Sequence, residues 1–114
     1  MTKKIRVLTM DDAEIVDMPE ERIISRRLVR KDHGSETASL NVSTLGEGFD
    51  DPEVCYDYDE IIYMLSGEVE LKFDGEVQII GPGAAIFIPK GCTYGYRVTK
   101  GPNEVIAVFA PAKF

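Results

Sequence analysis

The sequence of 114 residues predicts one all-β domain, with the strands arranged as a sandwich or a barrel. Hydrophobic residues recur mostly with a period of two, which is typical of half-buried strands. Turn signals rich in Gly, Pro, Asn and Asp separate these segments about every eight to twelve residues. The length fits a single domain of ordinary size.

The N-terminal part, residues 1–47, gives the weaker secondary-structure signals. Residues 5–9 could form a strand. Residues 11–18 could form a short helix or turn capped by Asp11 or Asp12, since an Asp side chain accepts hydrogen bonds from the first free amides. Residues 37–45 alternate cleanly, with Leu40 and Val42 on one face, and predict a half-buried strand.

A basic segment stands out in residues 22–30 of this acidic protein. It predicts a strand that carries four arginines. We interpret it as a solvated edge strand, because charged side chains on an edge oppose aggregation. The alternative is a patch that binds an anion or a partner.

The remaining residues predict a core at 48–98 and a C-terminal strand at 103–110. Residues 60–65 are apolar on both faces, as in a central strand. Asp74-Gly75 predicts a hairpin between strands at 69–73 and 76–80. Further strands are expected at 84–88, 93–98 and 105–109, separated by Pro- and Gly-containing turns.

Charge and composition exclude several classes of function. The net charge of −7 argues against nucleic acid and anionic membrane surfaces as partners. No apolar run approaches the roughly 20 residues of a spanning helix, and no secretory segment is apparent, so we expect a cytoplasmic protein. One His and two Cys cannot form an all-His/Cys zinc site in one chain.

The spacing of glycines resembles the two motifs of the cupin superfamily. Gly48, Glu60 and Gly67 match the first motif, which runs Gly, five residues, His-x-His, three or four residues, Glu, six residues, Gly. The string GAAIFIPKG at residues 83–91 matches the second, which runs Gly, five residues, Pro-x-Gly, two residues, His. The resemblance covers residues 48–98 and implies a small single-domain jelly roll, the double-stranded β-helix of the RmlC-like cupins.

The departures from these motifs concern the metal ligands. The positions of the three histidines are occupied by Val54, Tyr56 and Tyr94, so Glu60 alone remains of the ligands in metal-binding cupins. One carboxylate with apolar and phenolic neighbours is a poor divalent-metal site. We therefore expect neither a metal nor another cofactor. His33 precedes the motifs in polar surroundings and is expected to be a solvated loop residue.

A narrower resemblance is to the Q-type cupins of ethanolamine utilisation. It rests on the strings YDEI at 58–61, MLSGE at 64–68 and FIPKG at 87–91. Those proteins also lack the histidine ligands, and their family is linked to bacterial microcompartments and to an acetate-kinase-like activity. The kinase activity transfers poorly, because the chain has no phosphate-binding G-x-x-x-x-G-K-[ST] loop.

Strand alternation places a set of side chains inside the barrel. The candidate catalytic residues are Glu60, Tyr94 and Tyr56. Burial should raise the pKa of the Glu60 carboxyl, which suits a general acid or base beside a phenol. A purely structural hydrogen bond from Glu60 to Tyr94 or Tyr56 is the alternative. The candidate ligand-binding residues are Tyr58, Met64, Phe87, Cys92 and Tyr96.

Three functions follow as hypotheses. The first is a metal-independent protein that binds a small organic molecule in a Tyr/Glu-lined cavity, with an acid/base lyase or isomerase as its enzymatic form. The second is a non-catalytic accessory or ligand-binding protein of the ethanolamine-utilisation type. The third is an atypical metal site built from Glu60 with Glu53 or tyrosines. We also expect a homodimer that covers outward apolar residues such as Ile61 and Tyr63.

Overall fold

Alternating burial along the strands builds two antiparallel sheets. The computed structural model describes residues 4–114, and within that range it forms ten strands. Residues 1–3, which we had assigned to the N-terminal part of the domain, lie outside the described residues. The strands are β1 (Glu14–Met18), β2 (Ile23–Val29), β3 (Ser39–Leu45), β4 (Asp50–Cys55), β5 (Asp59–Met64), β6 (Glu68–Phe73), β7 (Glu76–Ile80), β8 (Ala85–Ile88), β9 (Thr93–Lys100) and β10 (Asn103–Ala110).

The strands pair in an order that wraps the chain around one interior. One sheet has six strands in the order β1-β2-β3-β10-β5-β8, and the other has four in the order β4-β9-β6-β7. The core lies between the two sheets, where Met64, Val69 and Val98 are almost completely buried. The two facing sheets confirm the predicted all-β jelly roll.

A buried polar cluster holds the two sheets together at one end of the barrel. Tyr96 of β9 donates a hydrogen bond from its hydroxyl to the side-chain oxygen of Asn103, which begins β10. The Asn103 amide nitrogen donates to the carbonyl oxygen of Ser66 at 2.8 Å. Asn103 is fully buried, so these bonds offset the cost of removing its amide from water.

The same end explains why the first motif requires a glycine at position 67. Gly67 has a φ of +79°, and a Cβ there would lie 2.6 Å from the carbonyl oxygen of Lys100 and 2.8 Å from that of Pro102. Only glycine tolerates both the left-handed conformation and this approach of another backbone. The motif spacing therefore reports the packing of the turn after β5 against the β9–β10 turn.

Three predictions about the N-terminal half are wrong. Residues 5–9 form no strand. The short helix or turn predicted over residues 11–18 is limited to a 3-10 turn at Met10–Asp12, and β1 (Glu14–Met18) occupies the rest. The basic strand β2 is not an edge, because it pairs with β1 on one side and β3 on the other. Its arginines are therefore partly buried against neighbouring strands rather than fully solvated.

Two local expectations also need correction. The acidic residues from Asp50 to Asp59 suggest a solvated loop by their charge, but residues 50–55 form β4 against β9. His33 does lie in a connection, but its side chain is only 10% exposed. Its Nδ1 accepts a hydrogen bond from the backbone amide of Arg30 at 3.2 Å, which removes it from solvent. Among residues 4–114, no helix is long and apolar enough to cross a membrane.

Candidate functional site

The interior of the barrel contains a cavity of about 280 Å³ that reaches from β2 and β3 to β9. Its volume is at the small end of the range for ligand sites in proteins. Both polar and aromatic side chains line it, and the polar ones are mostly buried. The polar lining includes Arg27, Asn41, Tyr56, Glu60, Tyr94 and Lys113.

Two of the residues that line this cavity form a hydrogen bond between the two sheets. The Tyr94 hydroxyl donates to Oε1 of Glu60 at 2.7 Å. Glu60 belongs to β5 in the six-stranded sheet, and Tyr94 belongs to β9 in the four-stranded sheet. Both are buried, with exposures of 5% and 7%. Two of the four residues at metal-ligand positions of the cupin motifs are thus hydrogen-bonded to each other.

Burial changes the acid–base properties of both side chains. Removal from water raises the pKa of the Glu60 carboxyl, while the Tyr94 hydrogen bond and the Lys113 charge lower it by smaller amounts. Burial, followed by the nearby Glu60 charge, raises the pKa of Tyr94 far above its ordinary value. The phenol therefore remains a hydrogen-bond donor, and the carboxyl is the group of this pair that can exchange a proton.

Tyr56 completes the predicted trio and also contacts a cation. Its pKa is raised, first by burial and then by the charge of Glu60. The ammonium group of Lys113 lies 3.7 Å from the centre of the Tyr56 ring and 4.7 Å from that of Phe109. A cation over aromatic faces is attracted by their negative charge density. The Tyr56 ring is thus in contact with the ammonium group of Lys113, which follows the last strand, β10.

The opposite wall of the cavity carries two further polar residues from adjacent strands. Arg27 of β2 and Asn41 of β3 are direct partners in the sheet register. The guanidinium of Arg27 lies 3.8 Å from the ring centre of Phe114 and forms an ion pair with Glu14 at 3.2 Å. Within residues 4–114, Nε of Arg27 and Oδ1 of Asn41 are buried without a hydrogen-bond partner. These two atoms are available to a ligand in the cavity.

The donor set does not fit the divalent metal that the fold family implies. Val54 offers no ligand atom, and the hydroxyl of Tyr94 is engaged with Glu60. The raised pKa values of Tyr56 and Tyr94 oppose phenolate formation. Glu53, which we had considered as a further ligand, is exposed on β4. A single carboxyl near an ammonium group is an unfavourable environment for a second cation.

The predicted ligand-binding residues are only partly brought together. Tyr96 lines the cavity with Glu60. Met64 is buried beneath it, with its sulfur 3.8 Å from the Tyr96 hydroxyl, and does not line the cavity. Tyr58 packs edge-on against Phe109 with ring centres 6.2 Å apart and is likewise absent from the lining.

Phe87 and Cys92 lie outside the inner cavity. Phe87 is 62% exposed, because the alternation along β8 directs Ile86 and Ile88 inward. Cys92 was expected on the inner face with Tyr94, but it is exposed in the turn before β9, where strand alternation does not apply. Both border a wider hollow of about 890 Å³ between β7 and β8.

We regard the smaller cavity as the candidate site. The hollow between β7 and β8 is larger, but among the described residues that line it only one titratable side chain, Tyr94, is buried. The inner cavity collects two carboxyls, three phenols and two cations. Burial shifts the pKa of Glu60, of Lys113 and of the three phenols. Convergence of such groups is the better indicator of a ligand or catalytic site.

Sequence reasoning missed Arg27, Asn41 and Lys113. Arg27 was grouped with the basic strand, and Asn41 was placed on the polar face of its strand opposite Leu40 and Val42. The strand register shows the reverse, with Asn41 buried and Leu40 partly exposed. Lys113 reaches the cavity because its backbone amide donates to the Ser39 hydroxyl, a contact across 74 positions that no local pattern indicates.

Comparison with known proteins gives a match to a family model described as "Cupin domain" over residues 42–109, more than half of the chain. An uncharacterized protein of Aquifex aeolicus is 33% identical over 61 residues. The aligned segment covers 54% of this chain and 50% of that protein, so the chain matches only about half the length of this relative.

Solved structures give matches over most of the chain. Ectoine synthase from P. lautus has a TM-score of 0.82 at 23% identity, covering 95% of this chain and 79% of that chain. The polyketide cyclase RemF from Streptomyces resistomycificus has a TM-score of 0.73 at 26% identity, covering 97% and 80%. A putative ethanolamine utilization protein, EutQ, from Salmonella typhimurium has a TM-score of 0.65 at 27% identity, covering 80% and 71%.

The raised pKa of Glu60 predicts a pH-dependent cost to stability that Glu60→Gln removes. Below the ordinary glutamate pKa, the carboxyl is mostly protonated in both the folded and the unfolded chain. As pH rises toward the raised folded pKa, the unfolded chain loses this proton first, so the wild-type protein loses stability relative to the variant. Between pH 4 and pH 8, urea unfolding should show the variant gaining about 1.4 kcal/mol per unit of pKa elevation.

Glu53→Gln provides the matched control, because Glu53 is exposed and its substitution should give the same stability difference at both pH values. A stability difference between Glu60→Gln and wild type that stays constant with pH would show that burial does not perturb this carboxyl.

Proposed function

The chain belongs to the cupin family, and from that premise we propose that its inner cavity binds one small organic molecule on which Glu60 acts as a general acid or base. The observation that carries this proposal is the buried Glu60 carboxyl, hydrogen-bonded to Tyr94 inside a cavity of about 280 Å³. A carboxyl whose pKa is raised toward neutrality can both accept and return a proton.

The arrangement favours proton transfer at a carbon next to a carbonyl group. The Glu60 carboxylate would take the proton, and the electron pair left on carbon would move onto the carbonyl oxygen as an enolate. The ammonium group of Lys113 would stabilise that oxygen. Return of the proton to another carbon gives an isomerisation, and loss of a leaving group from the neighbouring carbon gives a lyase reaction. Tyr94 would position the carboxyl through its hydrogen bond.

The structural relatives support an enzymatic use of this fold. Among them are proteins described as a synthase and a cyclase, each with a TM-score above 0.7. Fold similarity at this level does not transfer a substrate. The acid/base role for this chain therefore depends on its own residues.

A non-catalytic accessory role is the second candidate. Its support is the 27% identity to the Salmonella protein described as EutQ, together with a second EutQ structure, from Clostridium difficile, at 20% identity. In that case the cavity binds a metabolite without turnover. Ligand binding with no proton exchange at carbon would favour this candidate over the acid/base role.

We also propose a homodimer formed through the outer face of the six-stranded sheet. Two apolar rows cross this face in register: Phe87, Ile61, Val108 and Leu40, and Ala85, Tyr63, Ile106 and Val42. Phe87, Ile61 and Tyr63 are 62%, 45% and 42% exposed. An exposed apolar face of this kind is suited to a two-fold contact.

Light scattering after size exclusion should give the mass of two chains for the wild-type protein. Ile61→Lys should give the mass of one, because the introduced ammonium would be buried in the contact. Val77→Lys is the matched control, since Val77 is also exposed but lies on β7 of the other sheet. A wild-type protein with the mass of a single chain would contradict the dimer.

We propose a cytoplasmic location as well. Cys55 and Cys92 are both exposed as free thiols, which fits a reducing compartment. Cell fractionation that recovers the protein outside the cytoplasm would contradict this assignment.

Proton exchange in D₂O tests the acid/base role before a substrate is known. Pyruvate, 2-oxobutyrate and the uncharged ketone dihydroxyacetone are incubated with the protein, and loss of the C–H signals is followed by proton NMR. The wild-type protein should exceed buffer with at least one probe. Glu60→Gln should reduce that exchange by about 100-fold or more, because the base is removed.

Glu53→Gln should retain the wild-type exchange rate, since its side chain is exposed on β4. Exchange no faster than in buffer, or exchange that persists in Glu60→Gln, would count against the role assigned to Glu60.

A further inference from the structure

Lys113 is a partly buried cation on which the Glu60 charge acts from a distance, but it forms no ion pair with a described residue. Among residues 4–114, no carboxylate oxygen lies within ion-pair distance of its Nζ. The ammonium group is instead surrounded by the rings of Tyr56, Phe109 and Phe114, with centres 3.7, 4.7 and 5.2 Å away. An unpaired charge in such surroundings is costly. A bound anion would remove that cost.

Arg27 and Asn41 supply independent evidence that this end of the cavity is built for a ligand. They are neighbours in the register of β2 and β3 and line the same cavity as Lys113. Nε of Arg27 is a free donor, and Oδ1 of Asn41 is a free acceptor. Asn41 is only 4% exposed. Buried polar atoms are nearly always hydrogen-bonded, so an unpartnered pair beside an unpaired cation indicates a binding function.

We propose that Lys113, Arg27 and Asn41 form a subsite that binds the carboxylate of a short hydroxy or oxo acid. This inference deepens the proposed function and rests on it for the location of the reacting carbon. Lys113 and Nε of Arg27 are cationic donors that match carboxylate oxygens. Oδ1 of Asn41 accepts a hydrogen bond, which a hydroxyl group on the ligand can donate.

The charge balance favours a carboxylate over a phosphate. Arg27 already shares its charge with Glu14 and contacts the Phe114 ring, so it contributes only part of a positive charge. Of the two cations that line the cavity, Lys113 is the one that forms no ion pair with any of residues 4–114. A monoanion neutralises this end of the cavity, whereas a phosphate dianion would leave excess negative charge within reach of Glu60.

The geometry also orients the ligand. With its carboxylate at Lys113 and Arg27, the rest of a short acid extends past β10 toward Glu60 on β5, where Tyr94 holds the Glu60 carboxyl. The carbon next to the carboxylate or the one beyond it then lies nearest the acid/base group. The ligand class is therefore a short-chain hydroxy or oxo acid that undergoes proton transfer close to its carboxylate.

Matched ligands and variants test this subsite. Binding of lactate and pyruvate is measured by NMR shift titration against lactamide, which keeps the hydroxyl of lactate but lacks its charge. We expect a lactate Kd at least tenfold lower than that of lactamide. Lys113→Met preserves the length of the side chain against the aromatic rings. It should raise the lactate Kd at least tenfold while leaving lactamide unchanged.

Lys100→Met is the matched control, because Lys100 is exposed at the end of β9, where its Nζ lies 3.8 Å from Oε1 of Glu68. It should bind lactate as the wild type does. A melting temperature of Lys113→Met close to that of wild type would show that lost binding reflects the missing charge rather than misfolding. Asn41→Leu should raise the Kd of lactate more than the Kd of propionate, because propionate has no hydroxyl group to donate to Asn41.

The outcomes separate this inference from the proposed function. Lactate binding that depends on Lys113, but without proton exchange in any probe, supports the subsite and removes the acid/base role. Exchange of the C–H protons of dihydroxyacetone, together with equal Kd values for lactate and lactamide, would support the acid/base role of Glu60 and overturn the subsite. Tighter binding of inorganic phosphate than of lactate also overturns the carboxylate assignment.

Discussion

The hydrogen bond from Tyr94 to Glu60 is the contact on which the interior of this barrel depends. It joins a strand of one sheet to a strand of the other, at two positions that coordinate metal in other members of the family. A buried carboxyl without such a partner would be strongly unfavourable. The bond satisfies one oxygen of the carboxyl and offsets part of the rise in its pKa, which burial causes.

The cavity acquires two chemically different ends from this arrangement. One end contains a carboxyl that can exchange a proton, with phenols that cannot easily ionise. The other contains a lysine among aromatic rings and an arginine–asparagine pair from adjacent strands. The absence of the histidine ligands therefore leaves more than a defective metal site. It leaves a cavity whose charged occupant, in our proposal, is an organic anion instead of a metal ion.

The sequence predicted the part of the site that local patterns encode. Motif spacing identified Glu60 and Tyr94, and strand alternation placed both inside, where they are now seen to pair. Alternation failed for Cys92 because that residue precedes its strand, and it could not tell the inner face of β3 from the outer one. No local pattern could predict the position of Lys113, because it depends on the hydrogen bond from the Lys113 backbone amide to the distant Ser39 hydroxyl.

The protonation of Glu60 is the property that this account most depends on. Carbon-13 NMR can follow the Glu60 carboxyl through a pH titration, with Glu60→Gln used to assign its signal. A midpoint above the ordinary glutamate value of about 4.3 is predicted, and a higher one in Lys113→Met, because removal of the lysine charge further disfavours the carboxylate. A midpoint at or below the ordinary value would contradict the account, since Glu60 would then be an ionised structural group.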